Sequence, residues 1–311
     1  MRRLSFGSVA GDYDRYRPAP PPQALDWVVP PGAQAVLDLA AGTGVVTREL
    51  VRRAAGTQRI IAVEPDERMR AVLAAGCPEA EVLAGRGEDI PLPDASVDAV
   101  VISAAWHWLD PERAVPEIAR VLRVGGRLGV IWVSRDVRVP WVAQFNALAH
   151  ESREADRPRE ADQPRGADQP RGADQPRGAD QPRGADQPRG ADQPREADQA
   201  GGADQPSEAD QPRDAGRQSD GARVRRRRRE VTFPPGTPLS AVEELTVEYS
   251  LPRTKDQLFG LLGTYSGVIT LDPERRAEFA SRVRAFLDRQ PWDRVDLPMI
   301  CRCLRSTRLP G

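Results

Sequence analysis

Apolar residues in the first half of the chain gather in short runs separated by amphipathic stretches. The runs 35–39 (AVLDL), 59–63 (RIIAV), 81–84 (EVLA), 98–103 (DAVVIS) and 127–133 (RLGVIWV) are mostly continuous. Continuous runs are the pattern of strands covered on both faces of a parallel sheet, rather than of half-exposed strands that alternate. Helical stretches lie between them, and their boundaries carry local chemistry. Asp66 is placed to cap a helix running to about residue 75, and Asp110-Pro111 pairs a cap with a first-turn proline ahead of 114–122. Gly125-Gly126 ends that helix before the next strand. Repetition of β-α-β predicts right-handed crossovers and an open, doubly wound α/β sheet.

The second half resumes after a long polar stretch. Thr254-x-x-Gln257 reads as a capping box opening a helix to about residue 262, and Asp272-Pro273-Glu274 opens another to about 287. Residues 242–249 and 297–304 read as two further strands. Two strands and two helices do not easily make a core of their own, so they are expected to complete the first sheet. The expected organisation is one domain in two parts, 1–150 and 230–311, interrupted by 151–229.

The interruption repeats with a period of six: Gly-Ala-Asp-Gln-Pro-Arg recurs almost unchanged from 166 to 195. A hexapeptide β-helix needs an apolar residue in every turn, and this unit offers only Ala. Proline in each copy removes a donor and biases the residue before it away from helix. Such a segment cannot repay its ordering entropy by burial, so it is expected to be a disordered, dispensable surface insertion. The arginine run at 225–229 closes it and reads as a solvated linker edge, because neither interleaved aromatics nor a wider basic face accompanies it.

Composition changes this picture little. A formal net charge of −1 over 311 residues gives no reason to expect a nucleic-acid partner. No apolar run approaches the length of a membrane span, and Met1–Gly7 has no apolar stretch behind its two arginines. Three cysteines, Cys77, Cys301 and Cys303, without a C-x-x-C pair suit a reducing cytoplasm; 301 and 303 are expected to pack on one side of a strand. No His/Asp/Glu cluster has metal-ligand spacing, so no metal is expected.

The candidate chemistry begins at Val36-Leu-Asp-Leu-Ala-Ala-Gly-Thr-Gly44, where a strand, a small-residue turn and a helix follow one another. Ala40, Gly42 and Gly44 permit a tight turn and close approach of a ligand to the backbone. In an open α/β sheet that turn lies at the carboxyl edge, where ligands bind. Glu64 ends the second strand about 20 residues on, placed to accept hydrogen bonds from ribose hydroxyls. A dinucleotide fingerprint would require glycine at position 47, which is Thr47, so an NAD(P)-dependent oxidoreductase is the disfavoured alternative.

The pattern Asp38-x-Ala40-x-Gly42-Thr43-Gly44 resembles the first motif of class I S-adenosylmethionine-dependent methyltransferases, with Ala40 standing where glycine is frequent. The resemblance continues through 86–98 (RGEDIPLPDASVD), through 117–132 (EIARVLRVGGRLGVIW), and, in the N-terminal segment 6–17 (FGSVAGDYDRYR), through an arm that closes over the cofactor. It is nearest to the small-molecule branch of ubiquinone/menaquinone-biosynthesis and trans-aconitate methyltransferases. It implies a Rossmann-like seven-stranded sheet with the last strand antiparallel, S-adenosyl-L-methionine as cofactor and a small-molecule methyl acceptor. A protein that binds the cofactor without catalysis is the remaining alternative.

By that resemblance Asp38 supports the methionine end, Glu64 the ribose, and Asp89 the adenine amino group beside the backbone of Ile90. Tyr13, Tyr16 and Arg17 of the arm would cover the sulfonium, or else simply pack. His107, in Trp106-His107-Trp108 after the fourth strand, is the candidate general base where the acceptor must lose a proton. Structural packing is the competing reading of that histidine. For Tyr265, Trp141 and Trp292 packing is expected rather than a place in the acceptor pocket.

Overall fold

In the computed structural model, which describes residues 10–54, 56, 58–154 and 231–311, the five early apolar runs are strands β1 (Ala35–Leu39), β2 (Arg59–Val63), β3 (Glu81–Leu83), β4 (Val97–Ser103) and β5 (Leu122–Arg135). The late runs are β6 (Glu243–Thr254) and β7 (Arg294–Thr307). All seven join one sheet in the order β3-β2-β1-β4-β5-β7-β6. Neighbours from β3 to β5 pair parallel, whereas β7 is antiparallel to both β5 and β6. The expected antiparallel last strand is therefore present, and strands from both sides of the polar stretch share a sheet. The hexapeptide repeat and the arginine run at 225–229 lie outside the described residues.

The helices follow from the sequence signals. They are α1 (Ala10–Tyr16), α2 (Pro22–Val28), α3 (Val45–Ala54), α4 (Glu67–Gly76), α5 (Pro111–Val121), α6 (Pro140–Glu154), α7 (Lys255–Gly263), α8 (Ser266–Ile269) and α9 (Pro273–Asp288). Asp66 accepts from the amides of Arg68 and Met69 to start α4, and Thr254 with Gln257 closes a complete capping box on α7. Each such cap satisfies amides that helix geometry orphans, stabilising the fold by about 1 kcal/mol. Helices α1, α2 and α6 and the single turn α8 were not anticipated.

Both faces of the sheet are covered, as continuous apolar strands require. Leu37, Leu39, Ile61, Val63, Val100 and Ile102 pack with α5 on one face. Val36, Ile60, Ala99, Val101 and Ile131 pack with α2 and α3 on the other, joined by Cys301 and Cys303. Those thiols are fully buried, with sulfurs 3.6 Å apart, the packing role expected of them. Helix α2 lies so close to β5 that a Cβ at Gly129 would sit 2.5 Å from the Cβ of Val28. A third apolar cluster is built by α6, α7 and α9 with Leu297 and Met299 of β7. Among the described residues no helix is long and apolar enough to cross a membrane.

Candidate functional site

Every residue of β1 is buried, and one of them is an acid. Asp38 is 1% exposed, an expensive place for a carboxylate. Its Oδ2 accepts the hydroxyl of Thr47 at 2.7 Å, from the first turn of α3. Burial pushes its pKa up to about 7; the Thr47 hydrogen bond opposes that rise and the neighbouring Glu64 charge adds to it. Thr47, the residue that counted against a dinucleotide, is thus the partner of the buried acid.

The chain after Asp38 turns through a strained path. Ala40 has φ +58°, Gly42 +60° and Gly44 +86°. Such values cost an L-residue steric energy, and non-glycine examples concentrate where structure over-determines them, commonly at functional sites. Gly44 has a second reason to be glycine, since a Cβ there would lie 2.9 Å from Cγ of Leu73 on α4. Glu64 secures the turn from β2. Its Oε2 accepts the Gly42 amide and its Oε1 the Asp66 amide, both at 2.9 Å. Burial raises the Glu64 pKa, against the pull of the Asp66 and Gly42 hydrogen bonds.

A cleft opens at the carboxyl ends of β1 and β4, with about 700 Å³ of empty space when its open mouth is included. Its floor is Asp38, Ala40, Ala41 and Gly42 after β1, with Ser103 and Ala104 after β4. Ala104 has φ +54°, so two of the three non-glycine residues with positive φ among the described residues line this cleft. The walls are Val133 of β5, Met299 of β7, Leu261 of α7, and Tyr265 and Arg17. Arg17 donates to the Thr264 carbonyl at 3.1 Å, and its guanidinium lies 4.4 Å from the centroid of the Tyr265 ring. Tyr265, expected only to pack, is a wall of the cleft.

The cleft unites four of the sequence candidates, Asp38, Ala40, Gly42 and Arg17, and leaves the others outside its lining. Asp89 is exposed on a loop whose backbone bridges back to Arg86. Ile90 is 2% exposed and belongs to the core. Its N–H is given to Glu117 Oε2 at 3.0 Å, and its carbonyl accepts from Arg120. That carboxylate on α5, 27 residues downstream, was not foreseen. His107 is exposed on a single 3-10 turn (Trp106–Trp108), its ring 4.6 Å from that of Trp108. Tyr16 packs on α7, where a Cβ at Gly260 would meet its ring at 2.4 Å. Tyr13 lies on α1, and its side chain falls outside the described residues. Trp141 and Trp292 pack edge-on, 5.2 Å apart. Among the described residues no group of three or more His, Cys, Asp or Glu is placed to hold a metal.

Residues 37–130 match the methyltransferase domain family model, the stretch from β1 into β5 that builds the floor of the cleft. A Mycobacterium bovis protein described as an uncharacterized methyltransferase is 52% identical over 145 residues, 47% of this chain and 58% of the relative. A Schizosaccharomyces pombe protein described as methyltransferase-like is 34% identical over 154 residues, 48% of this chain and 59% of the relative. The chain thus spans somewhat under two thirds of the length of the curated relatives it matches. A solved structure from Anaeromyxobacter dehalogenans, described as a type II methyltransferase, superposes with a TM-score of 0.53 at 21% identity. That superposition covers 95% of this chain and all of the other, and establishes the shared fold. Residues 37–130 are thus similar to a methyltransferase domain, and they hold strands β1 to β4 and most of the cleft floor.

Proposed function

We propose that the chain binds S-adenosylmethionine in this cleft and transfers its methyl group to a small organic acceptor. One observation carries the reading. The cleft presents a carboxylate, Asp38, and a guanidinium, Arg17, around a floor of short side chains. An α-amino acid carries an ammonium and a carboxylate, so the residues present fit the methionine end of that cofactor. Glu64 keeps acceptor capacity beyond the two amides it holds, because each carboxylate oxygen has a second lone pair, and that capacity suits a ribose hydroxyl. The adenine contact falls to Asp89 alone, since the Ile90 amide is committed to Glu117.

When bound, S-adenosylmethionine supplies an electrophilic methyl group on a positively charged sulfur. The protein's task in such a displacement is to hold donor and acceptor in line at about 3–3.5 Å. Positive φ at Ala40 and Ala104 brings backbone rather than bulky side chains to the cleft floor. Val133, Leu261 and Met299 form an apolar wall that excludes water, which strengthens the charges of Asp38 and Arg17. His107 is given no proton-transfer role, being exposed and outside the lining. The insertion 151–229 is taken as dispensable to this chemistry.

Calorimetry with S-adenosylmethionine and NAD side by side tests the reading. Binding of the first and not the second is expected; NAD binding as well or better would overturn it. A thermal-shift screen of acceptors on protein loaded with S-adenosylhomocysteine then identifies the substrate.

A further inference from the structure

One cation near the cleft has no carboxylate partner among the described residues. Arg135 ends β5, two residues beyond Val133, and strand alternation puts it on the same face as that wall residue. It is 6% exposed. One terminal nitrogen donates to Asn146 Oδ1 on α6, while the other, NH1, is buried without a hydrogen-bond partner among the described residues. Its guanidinium rests 4.7 Å from the centroid of Tyr265, the same ring that Arg17 covers from 4.4 Å. Burial pushes its pKa down; Tyr265 opposes that fall, and Arg17, another cation, adds to it. The adjacent Asp136 is engaged with Arg138 instead, through two hydrogen bonds of 2.8 Å.

Proteins rarely bury a charged donor unpaired, and the exceptions ask for a ligand, an ion or a function. An aromatic face is a weak substitute for an anion. Position in the sheet separates this cation from the cofactor's end of the cleft. The cofactor turn follows β1, and β4 stands between β1 and β5, so Arg135 lies about 10 Å across the sheet at ordinary strand spacing. That is the side left for the acceptor.

Building on the methyltransferase reading, we propose that Arg135, with Asn146 and Tyr265, forms a subsite for a carboxylate of the methyl acceptor. The substrate class is then an organic acid, its carboxylate held by the planar fork of Arg135 behind the wall residue Tyr265, with the methyl-accepting atom towards Ala104. A bidentate guanidinium–carboxylate pair fixes orientation as well as charge. The Tyr265 ring, held between cleft and guanidinium, gives way to the incoming anion.

The test uses full-length protein loaded with S-adenosylhomocysteine, titrated with succinate and benzoate, with the neutral succinamide and benzamide, and with inorganic phosphate. Carboxylates are expected to bind in preference to their amides. Arg135→Gln should weaken carboxylate binding about ten-fold or more, with S-adenosylhomocysteine affinity unchanged. Arg135→Lys keeps the charge without the fork and should fall between the two. Equal binding of amides and acids by the wild type overturns the proposal without recourse to any variant, as does binding of phosphate alone. Loss of S-adenosylhomocysteine affinity in Arg135→Gln to the same degree as carboxylate affinity also overturns it, by assigning the arginine to the cofactor. A wild type that binds no S-adenosylhomocysteine sinks the methyltransferase reading instead; the acid-over-amide preference of unloaded protein then still decides for or against the carboxylate subsite.

Discussion

The two sides of the cleft are built by different means. The β1 side is local: Asp38, Ala40, Gly42 and Thr47 fall within ten residues, and Glu64 reaches them from the adjacent parallel strand. The far side is assembled from Arg17, Val133, Leu261, Tyr265 and Met299, which span almost the whole chain and meet only because β7 inserts between β5 and β6. A local site is a property of a turn and can be rebuilt from short-range geometry. A gathered site is a property of the fold, and its members carry no mutual spacing. The sharpest ways to break the contrast act on the turn, where single residues bear several constraints at once.

Gly44→Ala should be the most destabilising. The added Cβ meets Leu73 Cγ at 2.9 Å and forces a non-glycine residue to φ +86°. Left-handed backbone and overpacking together predict a loss of about 3 kcal/mol by denaturant unfolding. A loss below about 1 kcal/mol would mean that the turn is less constrained than its geometry implies.

Asp38→Asn comes next and separates charge from shape. In the native state the carboxyl titrates near 7, against an ordinary value of 3.8. Between those values the folded protein holds a proton that the unfolded chain has released, so stability must fall as pH rises from about 4 to 7. The cost above pH 7 is on the order of 4 kcal/mol, and the asparagine variant should lose most of that slope. Glu64, also raised by burial, leaves a residual slope in the same direction. Cofactor affinity should run the other way: an ammonium favours the ionised acid, so affinity rises between pH 5 and 7 by up to about ten-fold per unit in the wild type and flattens in the variant. Parallel profiles in calorimetry would remove Asp38 from the methionine end.

The same contrast explains what the sequence made legible. Seven strands, most helix starts and the turn at Asp38 announced themselves through continuous apolar runs, side-chain caps and small residues in series. Helix α2 was missed because Pro21 and Pro22 mask a short start that no side chain caps. Helix α6 was missed because its polar tail runs into the repeat. The Glu117 partner of the Ile90 amide was not legible, because a backbone amide advertises nothing about its partner and Glu117 is 27 residues away. Arg135 gave no local signal and Tyr265 read as packing: what singles them out is an unpaired nitrogen and a shared ring, both tertiary facts.

Ala40→Gly reverses the sign of the usual turn mutation. Alanine at φ +58° bears strain that glycine does not, and the position lines the cleft. Glycine should stabilise by about 1 kcal/mol, or roughly 2–4 °C in melting temperature for a domain of this size. A melting temperature that falls would mean that the methyl group packs usefully enough to outweigh the strain. Deleting residues 160–216, which the local-turn account makes irrelevant, should leave cofactor affinity within about two-fold, a neutral substitution on the scale of other surface changes. Abolished affinity would make the insertion part of the site.

His107→Gln should do least. The side chain is exposed, sits on a turn stacked against Trp108, and does not line the cleft in which the reacting groups are placed. A histidine acting as base would impose a limb near pH 6.5 on turnover, because only its neutral form accepts a proton. Turnover of the acceptor returned by the thermal-shift screen should stay within about two-fold of wild type, with the same pH profile, since a displacement organised by positioning does not require that base. A variant that keeps cofactor affinity but loses the pH 6.5 limb would bring the turn after β4 into the chemistry, and the acceptor side would then owe a catalytic residue to local sequence after all.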